Sequence, residues 1–267
     1  MPKKLILNAD DYGWDKDANE GILHLIQAGK IQNISILANH CSSENIKALQ
    51  LYTSAISCGL HVCLNEGAPL IPSPSSSILN DKGLFYTSAE LFKRAASGKI
   101  KYADVLREIN AQYNYLKDHG LEISHADSHQ HIHQYPFLSV MITKALCEIG
   151  IAKVRSCKPY STYDLRRLVV HAFCLSTARN ISAFKHPDIL ITDFTNKNFN
   201  FTSDAKKIIQ QLSCSNYQTI EWMCHPALKN KESSYLQRKN EYDFLMQCDW
   251  EYLLKNTTIE LSQYRFL

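Results

Sequence analysis

Histidine is concentrated in one short segment of the chain, where it alternates with other residues. Of the eleven histidines, five fall between His119 and His133, and four of these lie in Ser124-His-Ala-Asp-Ser-His-Gln-His-Ile-His133. Neutral imidazole and carboxylate are natural ligands of a zinc-type divalent metal. If the segment is extended, every second side chain lies on one side, which would bring together His125, Asp127, His129, His131 and His133. The segment therefore predicts a metal site; the alternatives are a solvated histidine-rich loop or imidazoles that satisfy buried polar groups.

Two adjacent carboxylates, Asp10 and Asp11, end the first apolar run of the chain just before Gly13. In a regular strand neighbouring side chains point to opposite faces, but at a strand end both carboxylates can turn into one pocket. The carboxyl ends of the strands form the active-site face of a parallel α/β barrel. The pair therefore indicates a functional site, and the alternative is an aspartate turn that leads into the first helix.

Three further side chains lie in or at the ends of short apolar runs. His61 lies inside the run 59–64, whereas Arg155 and His225 lie at the ends of two later runs. Taken alone, each is typical of a structural role: a core histidine, a surface cation and a solvated loop histidine. Their shared position at or near strand ends favours a common site, and metal-assisted hydrolysis is the chemistry that such a set supports.

Short apolar runs alternate with longer helical patterns along the chain. Strands are predicted at 4–9, 33–38, 57–64, 123–127, 153–156, 188–193 and 218–223. Helices are predicted at 16–28, 43–52, 88–97, 102–118, 136–148, 164–177, 204–212 and 235–254. This alternation predicts a parallel α/β sheet, and about seven units favour one barrel domain over residues 1–267 rather than two domains. An open doubly wound sheet is the alternative. The irregular stretch 65–88 is expected to be functional or mobile.

The composition is that of an ordinary globular protein and excludes several functional classes. Lys and Arg total 29 against 26 Asp and Glu, a formal charge of +3, and they are scattered, so no nucleic-acid partner is predicted. No apolar run approaches the ~20 residues of a membrane-spanning helix, and no signal peptide is predicted. Nine cysteines without C-x-x-C spacing fit a reducing compartment, so a cytoplasmic location is expected. Dinucleotide-binding, P-loop and serine-hydrolase motifs are lacking.

Four blocks of the sequence resemble the YdjC-like carbohydrate deacetylases, which include the chito-oligosaccharide deacetylases and hopanoid-associated relatives. In chain order the blocks are Leu5-Ile-Leu-Asn-Ala-Asp-Asp-Tyr-Gly13, Gly59-Leu-His61, His125-Ala-Asp-Ser-His129-x-His131-x-His133 and Met223-Cys-His-Pro-Ala227. They extend from residue 5 to residue 227, and their order and spacing make the resemblance specific. It implies a single (β/α) barrel of the glycoside hydrolase/deacetylase type, expected to be seven-stranded, that binds one divalent metal ion.

The resemblance also implies a role for each candidate residue. It implies three metal ligands, Asp11, His61 and His129. It implies a catalytic base and a general acid, Asp10 and His225. Two more side chains are expected to lie near the site and to contact the substrate, Arg155 and His125. Magnesium is the metal commonly assigned to the family, whereas two imidazoles among three ligands are chemically closer to zinc.

Two positions depart from the family pattern without touching a proposed ligand. Asn65 stands where threonine is frequent, and Gln130 stands where relatives commonly have histidine. The expected activity is therefore retained hydrolysis of an N-acetyl group on an amino sugar, a small-molecule carbohydrate, with an altered substrate preference. The alternatives are another metal-dependent hydrolase, such as a phosphoesterase or amidohydrolase, a sugar-binding relative without turnover, and an interaction protein. The oligomeric state, a homodimer included, is left open.

Overall fold

Parallel strands form the centre of the computed structural model, which describes residues 2–161, 165–196, 198–232 and 234–267. Seven strands belong to one sheet. They are β1 (Lys3–Tyr12), β2 (Asn33–Ile36), β3 (Ser57–Val62), β4 (Ile123–Ser128), β5 (Ile189–Ile191), β6 (Thr219–Cys224) and β7 (Ile259–Ser262). Six of the seven predicted strands are found, and β7 is a strand that the sequence patterns did not predict.

Helices follow most strands and cover the outside of the sheet. They are α1 (Lys16–Gln27), α2 (Ser43–Gln50), α3 (Ser88–Ala96), α4 (Tyr102–Asp118), α5 (Leu138–Glu148), α6 (Leu165–Ile181), α7 (Phe201–Ser213), α8 (Arg238–Gln247) and α9 (Trp250–Leu254). The helix predicted from residue 164 begins at Leu165, and Asp164 lies outside the described residues. Within the described ranges, no helix is long and apolar enough to cross a membrane.

The strand order β4-β3-β2-β1-β6-β5 places β1 at the centre of the sheet. The first part of β1 pairs with β7 and the second part with β2 on the same edge, while β6 pairs along the opposite edge; all these pairs are parallel. Residues 153–159 lie between β4 and β5 through single bridges, Ala126 to Val154 and Pro159 to Leu190. The predicted (β/α) barrel is confirmed, although its predicted strand 153–156 forms isolated bridges rather than a ladder.

A polar layer lies inside the barrel and an apolar layer outside it, because successive side chains of a strand point to opposite faces. In β1, Leu7 and Ala9 pack in the main apolar core, whereas Asn8 and Asp10 are buried but polar. The same alternation buries polar side chains of β3, β4 and β6, which are His61, His125, Asp127 and Glu221. Buried polar groups are costly without partners, so the interior of this barrel requires a connected network.

The predicted helix 235–254 is two helices. The first ends at Gln247, and the carboxylate of Asp249 accepts a hydrogen bond from the backbone N–H of Tyr252 at 3.0 Å. Aspartate at such a position caps a new helix N-terminus. The chain therefore restarts as α9 at Trp250, whose large side chain is buried.

The long stretch after β3 is fastened to α4 by two buried carboxylates. Glu108 accepts hydrogen bonds from the backbone N–H of Leu70 at 3.0 Å and of Ile71 at 3.5 Å. Asp104 accepts one from the backbone N–H of Ser77 at 2.7 Å. Carboxylates that bind backbone N–H groups in this way fix a loop that has no regular structure of its own. The loop is therefore held against the barrel at its middle.

Gly59 of β3 gives a test of how tightly the polar interior is packed. A Cβ atom there would lie 2.3 Å from Nε2 of His125, so the Gly59→Ala variant must displace that ring. We expect a loss of about 1–3 kcal/mol in the free energy of unfolding, as overpacking costs elsewhere, measured by urea denaturation. The double variant Gly59→Ala, His125→Ala removes the clash and should lose less than the sum of the single losses. Additive losses would contradict the proposed contact.

Candidate active site

A cavity of about 980 Å³ opens at the carboxyl ends of the strands. Asp10 and Asp11 reach it from β1, His61 from β3, His129 from the turn after β4, and His225 from the residues after β6. Parallel strands bring their carboxyl ends to one face of a barrel, which is why residues so distant in sequence meet. Five of the seven site residues expected from the sequence therefore line one cavity.

The three expected metal ligands form a cluster, one of two groups of potential ligands among the described residues; the other group is Asp10, His61 and Asp127. One ligand atom from each of Asp11, His61 and His129 lies within 4.8 Å of the other two. Oδ1 of Asp11 is 3.4 Å from Nε2 of His61 and 3.2 Å from Nδ1 of His129. All three side chains are buried. One carboxylate and two imidazoles are a donor set that a divalent cation accepts, so the residues present fit a metal ion.

The backbone of Asp11 explains how two neighbouring carboxylates reach the same cavity. Asp11 has a φ of 68°, in the left-handed region, which aspartate adopts more readily than most residues. This turn ends the strand alternation after Asp10. The following residues are held by a hydrogen bond of 2.6 Å from the N–H of Gly13 to Oδ1 of Asn19.

Asp11 is surrounded by groups that favour its charged form. Burial alone would raise its pKa, but hydrogen bonds with His129 and His61 and the charge of Arg238 hold the pKa well below its usual value. Arg238 places Nη2 2.6 Å from Oδ2 of Asp11, so the two oxygens of this carboxylate have different partners. Oδ2 faces the guanidinium, and Oδ1 faces the two imidazoles.

Asp10 has a different environment from its neighbour. Nη1 and Nη2 of Arg155 each lie 2.6 Å from an oxygen of Asp10, and Asn8 donates a further bond of 2.7 Å. Arg155 also contacts Asp127 at 2.8 Å and Glu221 at 2.6 Å. A planar guanidinium suits such paired contacts. Asp10 is therefore fixed in orientation from within the barrel.

The expectation that Arg155 contacts the substrate is not met in this structure. Its side chain is completely buried and does not belong to the lining of the cavity. It lies behind Asp10, because its charge is required by the carboxylates of the interior. Its place in the fold is that of an internal counter-ion.

His61 is oriented by a carboxylate on the neighbouring strand. Its Nδ1 lies 2.7 Å from Oδ1 of Asp127, whose other oxygen accepts a bond of 2.9 Å from the hydroxyl of Ser35. Burial would lower the pKa of His61, but Asp127 and Asp11 outweigh burial and raise the pKa to about 10. Nε2 of His61 faces Asp11, and Nδ1 faces Asp127, away from the cluster; we call the nitrogen that faces away from the cluster the outer nitrogen.

His225 lies on the other side of Asp10. Its Nε2 is 4.0 Å from Oδ2 of Asp10, and its backbone N–H donates a bond of 2.5 Å to Oε2 of Glu241. Burial lowers the pKa of His225 to about 4, so its ring is neutral near pH 7. Its Nδ1 has no hydrogen-bond partner among the described residues.

The histidine-rich segment is not extended over its whole length. β4 ends at Ser128, and a tight turn over His129–Gln134 follows, with left-handed φ values of 54° at Gln130 and 60° at His131. His129 and His131 line the cavity, whereas His133 is buried, with Nδ1 2.6 Å from Oγ of Ser128. The expected alternation on one side is therefore wrong beyond β4.

The expectation that His125 contacts the substrate is not met either, because this side chain lies one layer deeper in the barrel than the cavity. Its ring stacks on Tyr264 with centroids 3.7 Å apart and planes 7° apart. It is completely buried and absent from the cavity lining. A side chain two residues before Asp127 on the same strand face points inward too, but nearer the amino end of the strand. It has no surface that a substrate can reach.

Sequence reasoning missed several residues that shape the site, which are Trp14, Glu66, Asp127 as an orienting carboxylate, Arg238 and Glu241. Four of them lie outside the strands, so no strand pattern marks them: Trp14, Glu66, Arg238 and Glu241. Asp127 was visible only as a member of the alternating set. Its partnership with His61 depends on the register of β3 against β4, which pairs these two residues directly.

Comparison with known proteins gives a consistent picture. The model of the family described as YdjC-like protein matches residues 4–256. A carbohydrate deacetylase of Geobacillus stearothermophilus is 30% identical, covering 90% of this chain and 88% of that protein. A chitooligosaccharide deacetylase of Enterobacter sp. (strain 638) is 25% identical over 99% of both chains.

A solved structure extends the likeness to the fold. The crystal structure of a protein from Enterococcus faecalis V583, provisionally described as a cellobiose-phosphate cleavage protein, has a TM-score of 0.80 to this chain. It covers 100% of this chain and 99% of its own, at 20% sequence identity. At that identity the likeness concerns the architecture.

Asp127→Asn tests whether the carboxylate behind His61 prepares the metal site. Asparagine keeps the shape but removes the charge that fixes the ring and its outer N–H. We expect Zn²⁺ affinity to fall about 10–100-fold, the usual effect of losing such a partner, measured by isothermal titration calorimetry. Asp243→Asn, in the partly exposed pair with Lys239 on α8, is the matched control. Unchanged affinity in Asp127→Asn would contradict this role.

Glu241 predicts a pH dependence of stability. Burial raises its pKa from 4.5 to about 8, above the unfolded value, so its contribution is complete below about pH 4.5 and is lost as the pH rises through about 8. Between pH 6 and pH 8 we expect Glu241→Gln to gain about 1–2 kcal/mol in unfolding free energy relative to the unaltered protein. Denaturant titrations at both pH values measure it, with exposed Glu232→Gln as control. Parallel pH curves for the Glu241→Gln variant and the unaltered protein would refute it.

Proposed function

The chain belongs to the YdjC-like family, and we propose that it is a metal-dependent hydrolase that removes an N-acetyl group from an amino sugar or oligosaccharide. The observation that carries the proposal is the cluster of Asp11, His61 and His129 in one cavity with Asp10 and His225. The names of the similar carbohydrate and chitooligosaccharide deacetylases support the substrate class. A cavity of about 980 Å³ has room for a ligand of that size.

In this proposal Asp11, His61 and His129 hold one divalent cation. When bound, such a cation lowers the pKa of a coordinated water and stabilises negative charge on a carbonyl oxygen. The family resemblance favours Mg²⁺, and the two imidazole donors favour Zn²⁺. The carboxylate of Asp127 lies on Nδ1 of His61, which leaves Nε2 of that ring facing Oδ1 of Asp11.

Asp10 is proposed as the base that takes the proton of the attacking water. Arg155 fixes both of its oxygens at 2.6 Å, so the carboxylate needs no reorganisation during the reaction. The adjacent Asp11 serves as a ligand because its Oδ1, the oxygen that Arg238 does not contact, faces the imidazoles of His61 and His129. The contrasting partners of the two carboxylates therefore separate their roles.

His225 is proposed to protonate the departing amine. Because burial lowers its pKa to about 4, the ring is neutral before reaction and must first receive a proton. Asp10, 4.0 Å away, is the nearest group that has taken one. The proton would pass from Asp10 to His225 and then to the amine, which is general base followed by general acid catalysis.

The surroundings of the site fit a sugar. Trp14 and His131 line the cavity with Glu66 and Lys231, and such a mixture of an aromatic ring with polar side chains suits a ligand rich in hydroxyl groups. The cytoplasm is the proposed compartment, since all nine cysteines are free and a reducing environment keeps them so.

Acetate release from acetylated amino sugars, screened with Mg²⁺, Zn²⁺, Mn²⁺ and Co²⁺, tests the proposed activity. His129→Ala removes a ligand, so we expect loss of both metal binding and acetate release. His24→Ala, on the exposed side of α1, is the control and should keep both. A chelator should abolish activity and added metal should restore it.

Two results would contradict the proposal. Full activity in metal-free buffer would refute the metal requirement. Release of phosphate from sugar phosphates without acetate release would select a phosphoesterase instead.

A further inference from the structure

We propose that Glu66 is a positioning residue that orients His129 toward the metal site, as Asp127 orients His61; the inference rests on the proposed function. Glu66 lies on the loop after β3, four residues past the last residue of that strand. Its Oε2 is 3.2 Å from Nε2 of His129. No sequence pattern marks Glu66, and it is not among the site residues expected from the sequence.

The two imidazoles of the cluster have matching surroundings. His61 has an outer nitrogen on Asp127 at 2.7 Å and an inner nitrogen 3.4 Å from Oδ1 of Asp11. His129 has an outer nitrogen on Glu66 and an inner nitrogen 3.2 Å from the same oxygen. The rings meet edge to face with centroids 5.7 Å apart. Each ring is therefore placed between an orienting carboxylate and the shared ligand oxygen.

A carboxylate on the outer nitrogen determines which nitrogen of an imidazole is free for a metal. It accepts the outer N–H, so the lone pair is left on the inner nitrogen. Gln130 also approaches Nε2 of His129, with its Nε2 at 3.4 Å. An amide NH₂ is a donor and cannot accept the ring N–H, so Glu66 is the group that can fix this tautomer.

Glu66 acts on the cluster from outside it. Among the described residues, Glu66 belongs neither to the group of Asp11, His61 and His129 nor to the second group of potential ligands within 4.8 Å of one another. Its side chain is 37% exposed, whereas Asp127 is fully buried. The orienting bond on His129 is therefore the one that solvent and substrate can reach.

The loop backbone holds Glu66 in place. Its carbonyl oxygen accepts bonds from Nδ2 of Asn39 at 3.2 Å and from Sγ of Cys63 at 3.4 Å. The next residue, Gly67, has a φ of 76° and would bring a Cβ within 2.8 Å of His40. Trp14 lies beside His129, with ring centroids 5.0 Å apart and planes 42° apart. These contacts fix both partners of the bond.

The test measures Zn²⁺ and Co²⁺ binding to the full chain with Glu66→Ala and Glu66→Gln. We expect the Kd for Zn²⁺ to rise about 10–100-fold for alanine, and less for glutamine, whose amide oxygen still accepts the N–H. The Co²⁺ absorption spectrum should keep its intensity, and KM at saturating metal should be unchanged. Glu20→Ala, which removes a partly exposed carboxylate on α1 paired with Lys16, is the control, and thermal unfolding of the metal-free variants checks the fold.

Three results would overturn the inference alone while leaving the proposed function intact. An unchanged Kd for Zn²⁺ in Glu66→Ala would mean that the contact does not prepare the site. A Co²⁺ spectrum that shows a lost ligand would make Glu66 a metal ligand. A raised KM with unchanged metal affinity would make it a substrate contact. Failure of the unaltered protein to bind either metal would overturn the proposed function and this inference together.

Discussion

One buried guanidinium holds the site together. Arg155 is enclosed in the barrel and contacts three carboxylates from three different strands, Asp10, Asp127 and Glu221. Burying charge is costly unless every partner is satisfied. Glu221 relieves part of the excess negative charge, because burial raises its pKa to about 7, and it accepts a hydrogen bond from Tyr264. The position of Arg155 therefore fixes the orientation of the carboxylates of Asp10 and Asp127.

The division of labour in the cavity follows from this constraint. Asp10 is held inward by Arg155, so Asp11, whose backbone turns away, is left to the imidazoles. Asp127 binds Arg155 with one oxygen and His61 with the other. The network thus extends without a break from the barrel interior to the imidazole of His61 beside Asp11. Polar groups that would be costly in a core become the support of the cavity.

Much of this could be predicted from the sequence, and the exceptions share a physical cause. Strand periodicity identifies the face on which His61 and Asp10 lie, and parallel pairing brings their strand ends together; Asp11 reaches the same cavity through its left-handed backbone turn. Periodicity shows which face of a strand a side chain is on but not how far along the barrel it lies. His125 was therefore expected at the cavity, although it lies one layer below. Arg155 was expected to contact the substrate, but its partners come from three other strands that meet only when the barrel forms. Glu66 lies in a loop without a repeating pattern, and Arg238 is the first residue of α8, so the periodicity of the strands marks neither.

The central claim is that Asp11, His61 and His129 converge on one divalent cation. An anomalous difference map from crystals grown with Zn²⁺, with data collected above the zinc absorption edge, tests it most directly. The account predicts a single strong peak within reach of Oδ1 of Asp11, Nε2 of His61 and Nδ1 of His129. A map with no peak there, or with the ion bound by other side chains of the cavity, would contradict it.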